Sequence, residues 1–323
     1  MNKALYTRED FSNQNEVRWC PGCGDYAILA AMQRLLPELG VSPSQHVFVS
    51  GIGCAGRFPY YMNTYGFHTL HGRATAVATG LKAMRDDVCV WVITGDGDAL
   101  SIGGNHLIHL LRRNVNVNVL LFNNQVYGLT KGQFSPTSQK GQITKTSPEG
   151  VTTEPMNPIR LALGAGATFV ARAVDKDPQH LAQVLKKAYE HPGCSFVEIY
   201  QDCNIFNKGA FDGFSVKAER AEHTITLEAG APLLFGEDKA SGLVLCDDKL
   251  VRASAAQATS YLHNPASFSH AMHLAALSFP DDPVPLGVYY HETRPVFSFS
   301  MPVEQKTIED LRSLYRSKTS WTV

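Results

Sequence analysis

The chain has no uncharged apolar run long enough to cross a bilayer and no N-terminal apolar stretch of the signal-peptide kind. Both absences speak against a helical membrane span and make the cytoplasm the expected location. Excess charge is also missing. With 29 Lys and Arg against 30 Asp and Glu, the formal net charge is −1, so a broad nucleic-acid-binding face is not expected. Cysteine is sparse and odd in number, seven in 323 residues, which argues against a disulfide framework in a chain without a secretory signal. The one G-x-G-x-x-G, Gly51 to Gly56, follows a strand but no helix is read after it, so a nicotinamide dinucleotide has no visible home. No C-x₂-C-x₂-C run of the ferredoxin kind occurs, nor any internal repeat or low-complexity tract. What is present is ordinary: 44% hydrophobic and 18% charged residues, enough chain for one large or two small globular domains.

One stretch organises the rest, Trp91 to Gln133. An apolar run, Val88 to Thr94, ends in Gly95-Asp96-Gly97, and a helical segment follows with Leu107, Leu110 and Leu111 on one side. A second apolar run, Val117 to Phe122, ends in Asn123-Asn124. This is a βαβ unit whose two polar turns lie at the same end of a parallel pair, where open α/β sheets bind ligands. Gly95 and Gly97 would let backbone N–H groups approach a pyrophosphate closely. Asp96 and Asn124 offer hard oxygen ligands suited to Mg²⁺. Taken alone, the same residues also read as a helix cap and a strand end, because short motifs misfire.

Along the chain, residues 1–18 form a polar arm, and Cys20-Pro21-Gly22-Cys23-Gly24 leads into a helix from Asp25 to Leu39. Asp25 is the expected N-cap there, with Tyr26, Leu29, Met32, Leu36 and Leu39 as the apolar stripe. A strand, His46–Ser50, runs into Gly51-Ile52-Gly53-Cys54-Ala55-Gly56, and His71-Gly72-Arg73 opens a helix from Ala74 to Arg85. The polar segment from Gln133 to Pro158 is too long for an ordinary connection, and loops of that length tend to be functional or mobile. Alternation then resumes: a short run Ile159–Gly164, strand Thr168–Ala173, helix Pro178–Glu190 and strand Ser195–Tyr200. The fold expected is a doubly wound, mainly parallel α/β sheet over residues 1–221, with an irregular C-terminal extension, 222–323, that turns helical from Val303 to Tyr315.

Cys20 and Cys23 form a C-x₂-C pair in a tight turn, while Cys54 and Cys203 each follow an inferred strand. Four thiolates brought to one region would hold either a [4Fe–4S] cluster or a structural zinc, and their spacing does not separate the two. The pair alone also reads as a redox dithiol or an idle turn. Cys89 lies in an inferred buried strand, and Cys194 and Cys246 lack any partner pattern.

GDG, a helix, a strand and NN at this spacing resemble the diphosphate-binding motif of thiamine diphosphate enzymes. The ordered set CPGCG, GIGCAGR, HGRA, GDGDALSIGGNH, NNQVYGLTKGQ and CNIFN, over about residues 16–215, resembles the β subunits of 2-oxoacid:ferredoxin oxidoreductases. The resemblance implies a thiamine diphosphate-binding fold with Mg²⁺ held by Asp96, Asn124 and the Val126 carbonyl. Gly128, Leu129 and Thr130 would border the diphosphate. Ile52, Gly53, Cys54, Ala55, His71, Gly72, Gly95, Gly97 and Asp98 would surround the cofactor. Cys20, Cys23, Cys54 and Cys203 would ligate a [4Fe–4S] cluster near the thiamine ring. His71 and Lys131 would serve catalysis, Lys131 near the substrate carboxylate or coenzyme A; without the resemblance they read as a turn histidine and a solvated loop lysine.

The implied reaction is oxidative decarboxylation of a 2-oxoacid to an acyl-CoA, with electrons leaving one at a time to ferredoxin, or the reverse carboxylation. The family's pyrimidine-activating glutamate sits on another domain, so the resemblance implies a partner α (or fused γα) subunit and an (αβ)2 assembly. The CNIFN form and the segment Glu292-Thr293-Arg294-Pro295-Val296-Phe297 look more like 2-oxoglutarate enzymes than pyruvate or branched-chain ones. The other readings are a non-oxidative thiamine decarboxylase, which needs no cluster, and a zinc-stabilised structural subunit.

Overall fold

The structure is a computed structural model that describes residues 5–299 and 307–316. Six strands come first: β1 (His46–Ser50), β2 (Tyr65–His68), β3 (Cys89–Gly95), β4 (Asn118–Asn123), β5 (Phe169–Val174) and β6 (Ser195–Tyr200). They are interleaved with helices α1 (Asp25–Glu38), α2 (Ala74–Met84), α3 (Gly104–Arg113), α4 (Pro158–Gly164) and α5 (Pro178–Glu190). After residue 211 follow α6 (Asp212–Ser215), α7 (Lys217–His223), β7 (Thr224–Leu227), β8 (Leu234–Phe235), β9 (Ser241–Cys246), β10 (Lys249–Ser254), α8 (Ala255–Ala258), α9 (Phe268–Ala276), β11 (Val284–His291) and α10 (Ile308–Arg316). Among the described residues no helix is long and apolar enough to cross a membrane.

The main sheet has eight strands in the order β2-β1-β3-β4-β6-β5-β11-β7. Its first six strands are mutually parallel; β11 runs antiparallel to β5 and parallel to β7. Side chains alternate across it as a strand period of two requires. Val90, Val92, Val119 and Leu121 face one apolar layer with α2, α3, α4 and α9. Trp91, Ile93, Leu120 and Phe122 face the other, with α1 and α5. Both faces are covered, which is why these strands read as unbroken apolar runs.

The expected irregular extension is more regular than its sequence suggests: β7 and β11 complete the main sheet, and β8–β10 form a separate antiparallel sheet. Short strands joined by turns give too little periodicity to see in advance. The C-terminal helix is present as Ile308–Arg316, while the first residues expected in it lie outside the described ones. The arrangement that matters is at one edge. β1, β3, β4 and β6 are neighbours and parallel, in register at Ser50 with Ile93, Gly95 with Phe122 and Asn123 with Tyr200. Their carboxyl ends therefore release Gly51–Cys54, Asp96–Asp98, Asn124–Thr130 and Gln201–Cys203 into one space.

Candidate functional site

That space is an open cleft lined by Ile52, Gly53, Cys54, Ala55, His71, Gly95, Asp96, Gly97, Asp98, Asn124, Val126, Gly128, Leu129 and Thr130. Every residue that the sequence placed around a cofactor lines it except Gly72, whose N–H is tied to the Asp98 carboxylate at 2.7 Å. Asp25, Phe122, Tyr127 and Gln201 line it as well, none of them assigned to a cofactor site from the sequence.

Asp96 is 3% exposed, and burial pushes its carboxyl above the ordinary range, opposed by hydroxyl donors from Ser135 and Thr137. Beside it the Asn124 amide has a fixed direction. Its Nδ2 donates to Gln201 Oε1 (2.8 Å), which leaves Oδ1 as an acceptor facing the Val126 N–H at 3.2 Å. The chain leaves Gly97 into a π-helical turn, Asp98–Ile102, before α3 begins. Such turns inside helices gather at functional sites because they re-aim the preceding backbone. Gly97 is demanded by close approach: a Cβ there would lie 2.2 Å from the Tyr127 ring, whose hydroxyl donates to the Gly97 carbonyl at 3.0 Å.

Asp98 lines the cleft, but its carboxylate is spent on the protein. Oδ1 accepts from the Ile52 N–H (3.2 Å), the Gly72 N–H (2.7 Å) and His71 Nδ1 (2.5 Å), and Oδ2 accepts from the Thr94 hydroxyl (2.6 Å). The carboxylate thus ties the loop after β1 and the turn before α2 to the end of β3, which leaves the backbone of Asp98 as the part open to a cofactor. With Nδ1 occupied, His71 keeps Nε2 for the cleft.

The four cysteines do meet. Cys20, Cys23, Cys54 and Cys203 line one cavity together with Arg18, Trp19, Arg57, Lys131 and Phe206. Hydrogen bonds to backbone carbonyls lace its walls. The Cys23 N–H donates to the Cys20 carbonyl (3.1 Å), the Gly24 N–H to the Asp202 carbonyl (3.1 Å), and Asn204 Nδ2 to the Pro21 carbonyl (2.5 Å). Trp19 Nε1–H holds the Cys54 carbonyl at 2.7 Å, and Gln201 Nε2 reaches Cys23 Sγ at 3.3 Å. Burial raises the Cys23 thiol, with Asp25, Cys54 and Cys203 adding to it, and raises Cys54 to about 12. Thiols so placed ionise only against a cationic partner. Lys131 is exposed, has a left-handed backbone (φ 76°), and lines this cavity rather than the cleft. Cys89 is half-buried at the start of β3, Cys194 is buried, and Cys246 is exposed at the end of β9.

Asp25 corrects an expectation. Gly24 occupies the N-cap position, and Asp25, 1% exposed, meets no nitrogen or oxygen donor at either carboxylate oxygen. Burial pushes its carboxyl up to about 7, the Cys23 thiol opposing and Asp175 adding. The expected α1 stripe is buried at Leu29, Met32 and Leu36 and is wider than expected, taking in Ile28, Ala31 and Leu35, while Tyr26 is partly exposed.

A cofactor cleft at the carboxyl ends of a parallel sheet, with a glycine-flanked acid and an asparagine on adjacent strands, defines a thiamine diphosphate domain. Residues 51–199 match the family model for the thiamine pyrophosphate enzyme C-terminal TPP binding domain. Over 98% of its length the chain is 47% identical to the 2-oxoglutarate oxidoreductase subunit KorB of Mycobacterium tuberculosis, covering 88% of that protein. It is 49% identical to subunit beta of the 2-oxoacid:ferredoxin oxidoreductase 1 of Aeropyrum pernix, over 58% of this chain and 59% of that one. Among solved structures, a chain of the 2-oxoglutarate:ferredoxin oxidoreductase from Magnetococcus marinus, with 2-oxoglutarate, coenzyme A and succinyl-CoA bound, superposes with a TM-score of 0.75. It is 33% identical, and the match covers 99% of this chain and 94% of that one. The chain belongs to the β subunits of the 2-oxoacid:ferredoxin oxidoreductases.

Proposed function

We propose that this subunit carries the thiamine diphosphate, Mg²⁺ and [4Fe–4S] centres of an enzyme that converts 2-oxoglutarate and coenzyme A to succinyl-CoA and CO₂, passing electrons singly to ferredoxin. The observation that carries this reading is a shared wall. Cys54, Asn124, Gly128, Leu129 and Gln201 line both the cleft and the four-cysteine cavity. A Cβ on Gly128 would sit 3.6 Å from both Cys54 Sγ and Cys203 Sγ, so any larger residue would fill the boundary between the two sites.

The residues present fit the implied groups. Asp96, Asn124 and the Val126 carbonyl supply hard oxygen donors for Mg²⁺, with the Asn124 amide already turned oxygen-outward by Gln201. The four cysteines supply the thiol set for a cluster. When bound, thiamine diphosphate supplies a nucleophilic carbon and an electron sink for loss of CO₂. The chain's own residues orient and enclose: Asp98 holds His71 by Nδ1 so that Nε2 faces the cleft, and Lys131 offers a cation to an anionic substrate or coenzyme at the neighbouring cavity. The same groups would serve reductive carboxylation when reduced ferredoxin and CO₂ drive it.

No glutamate lines the cleft among the described residues, which supports an α (or fused γα) partner donating the pyrimidine-activating acid within an (αβ)2 assembly. Tyr60, Tyr65, Phe67 and Leu70 lie exposed along edge strand β2 and its flanks, beside the His71–Gly72 turn, and suit such a partner. The test is co-purification with the partner, then coenzyme A-dependent reduction of a viologen dye with 2-oxoglutarate, pyruvate and branched-chain 2-oxoacids in turn. The expected result is 2-oxoglutarate preference, iron and sulfide in the protein, and loss of the broad visible absorption in Cys203→Ser. Zinc without iron would overturn the cluster. Turnover without coenzyme A or dye would indicate a non-oxidative decarboxylase instead.

A further inference from the structure

The long connection between β4 and α4 holds a contradiction that loops rarely tolerate. Ser135, Thr137 and Ser138 are polar loop residues, yet each is at most 2% exposed. Loops normally stay at the surface because buried backbone and hydroxyl groups need partners. Here the partners are specific. The Ser135 N–H donates to Ser138 Oγ (2.8 Å), and the Ser138 hydroxyl donates to the Gln125 carbonyl (2.6 Å). The Ser135 and Thr137 hydroxyls both reach Asp96 Oδ2, each at 2.5 Å.

Proton bookkeeping fixes the direction of these contacts. A hydroxyl has one proton to give. Thr137 Oγ1 has three oxygens in range, Asp96 Oδ2 at 2.5 Å, Asn123 Oδ1 at 2.9 Å and Ser135 Oγ at 3.2 Å, the last with its own proton on Asp96. The Asn123 oxygen is truly an oxygen, because its Nδ2 is committed to Glu198 Oε1 at 2.7 Å. An ionised carboxylate is the stronger acceptor and the closer one, so it takes the Thr137 proton. Two charge-assisted hydrogen bonds therefore converge on Oδ2, and among the described residues no side chain donates to Oδ1.

The geometry points to Ser135 and Thr137 as positioning residues for the cation site: by saturating Oδ2 they fix the carboxylate plane and leave Asp96 to offer Oδ1 alone. Only the start of the 133–158 loop turns inward, at Ser135 to Ser138, and it brings two hydroxyls to this one side chain, while most of 139–157 stays exposed. The inference rests on the reading that Asp96 takes the Mg²⁺ of the thiamine site, and the test separates the two. In the complete complex with its partner, stripped by chelator, Mg²⁺ is titrated at saturating thiamine diphosphate while cofactor binding is followed by fluorescence quenching. Partners behind a metal ligand typically change metal affinity 10–100-fold, so Ser135→Ala with Thr137→Val is expected to raise the half-saturating Mg²⁺ by about 10-fold or more. Thr137→Ser, which keeps the hydroxyl, should restore most of it. Melting of the cofactor-free complex gives the control: a merely structural role lowers it without moving the Mg²⁺ titration, and that result overturns the inference. A Ser135→Ala, Thr137→Val complex within twofold of the parent also overturns it, provided Asp96→Ala abolishes binding. If Asp96→Ala itself leaves Mg²⁺ binding intact, the reading beneath fails instead.

Discussion

Replacing Asp98 separates two roles that the sequence alone cannot. The carboxylate, 3% exposed, receives four donors: two backbone N–H groups, His71 Nδ1 and the Thr94 hydroxyl. Hydrogen bonds to a charged group contribute about 1.5–3 kcal/mol each, and these share one acceptor, so they do not add fully. Asp98→Ala strands all four donors and is expected to cost about 3–5 kcal/mol. Asp98→Asn keeps an oxygen for the three N–H donors and turns its amide nitrogen toward Thr94, whose hydroxyl can rotate to accept. That exchange should cost only about 1–2 kcal/mol. Urea unfolding measures both, and thiamine diphosphate titration of the complex follows the cleft. The expected pattern is a graded loss, alanine well above asparagine, with cofactor affinity falling in step because the loops at 51–55 and 71–72 loosen. If Asp98 instead touched the cofactor, both variants would lose affinity with stability untouched. That outcome, or equal destabilisation by the two, would refute the reasoning.

Gly97→Ala forces a Cβ to within 2.2 Å of the Tyr127 ring, an overpacking that costs about 1–3 kcal/mol; thermal melting should fall and cofactor affinity weaken as Tyr127 is displaced. Arg172→Met leaves Glu198, 0% exposed, with only the Asn123 amide, after losing an ion pair at 2.7 Å. A loss of about 3–5 kcal/mol is expected, and adding Glu198→Gln should recover part of it in a double-mutant cycle by denaturant unfolding. The buried histidine chain makes stability pH-dependent. His263 Nε2–H donates to the Val288 carbonyl (2.8 Å), so its Nδ1 accepts from His270 Nε2 (3.0 Å), and His270 Nδ1 accepts from the Tyr261 hydroxyl (2.9 Å). Another proton on His270 would force the Tyr261 hydroxyl to turn from donor to acceptor, and burial, with His263 and His273 adding, lowers His270 to about 4. The unfolded chain takes up that proton near pH 6.5 and the folded one does not, so stability should decline from about pH 6.5 to about pH 4 and level off below, on the order of 1 kcal/mol or more for this group. A flat stability curve across that window would contradict the chain as drawn.

Much of the site was legible because its residues sit where strands stop. Once apolar runs ending in Ser50, Thr94, Phe122 and Tyr200 are taken as parallel neighbours, the residues just beyond them must share one edge, and they do. What stayed hidden depends on contacts across large sequence separations. The motif around Asp98 gives no sign of the four donors, three of them outside its own strand and turn, that its carboxylate holds. Asp25 reads as a cap by position, but the turn at Gly24 packs against Asp202 and buries the carboxylate against Cys23. Ser135 and Thr137 carry no signal at all in a loop of serines, threonines and glycines. The strands after residue 222 were faint because a strand such as Thr224–Leu227 draws its stability from the sheet it joins rather than from its own pattern.

The division between cleft and thiol cavity explains the residue choices at 124–131 better than either site does separately. Asn124 must present an oxygen to the cleft and an amide nitrogen to Gln201, and Gln201 uses its other end on Cys23 Sγ at 3.3 Å and the Asp202 carbonyl at 2.6 Å. One glutamine thereby couples the direction of Asn124, the proposed cation ligand, to the position of Cys23, a thiol of the proposed cluster. An Asn124→Asp change would keep an oxygen for the cation but turn a second acceptor toward Gln201 Oε1. Gln201 would then have to flip, its nitrogen leaving Cys23. The variant should therefore alter the visible spectrum or reduction potential of the cluster as well as cofactor binding, although residue 124 is not a cysteine ligand. Unchanged cluster properties alongside weakened Mg²⁺ binding would show that the two sites are adjacent without being coupled.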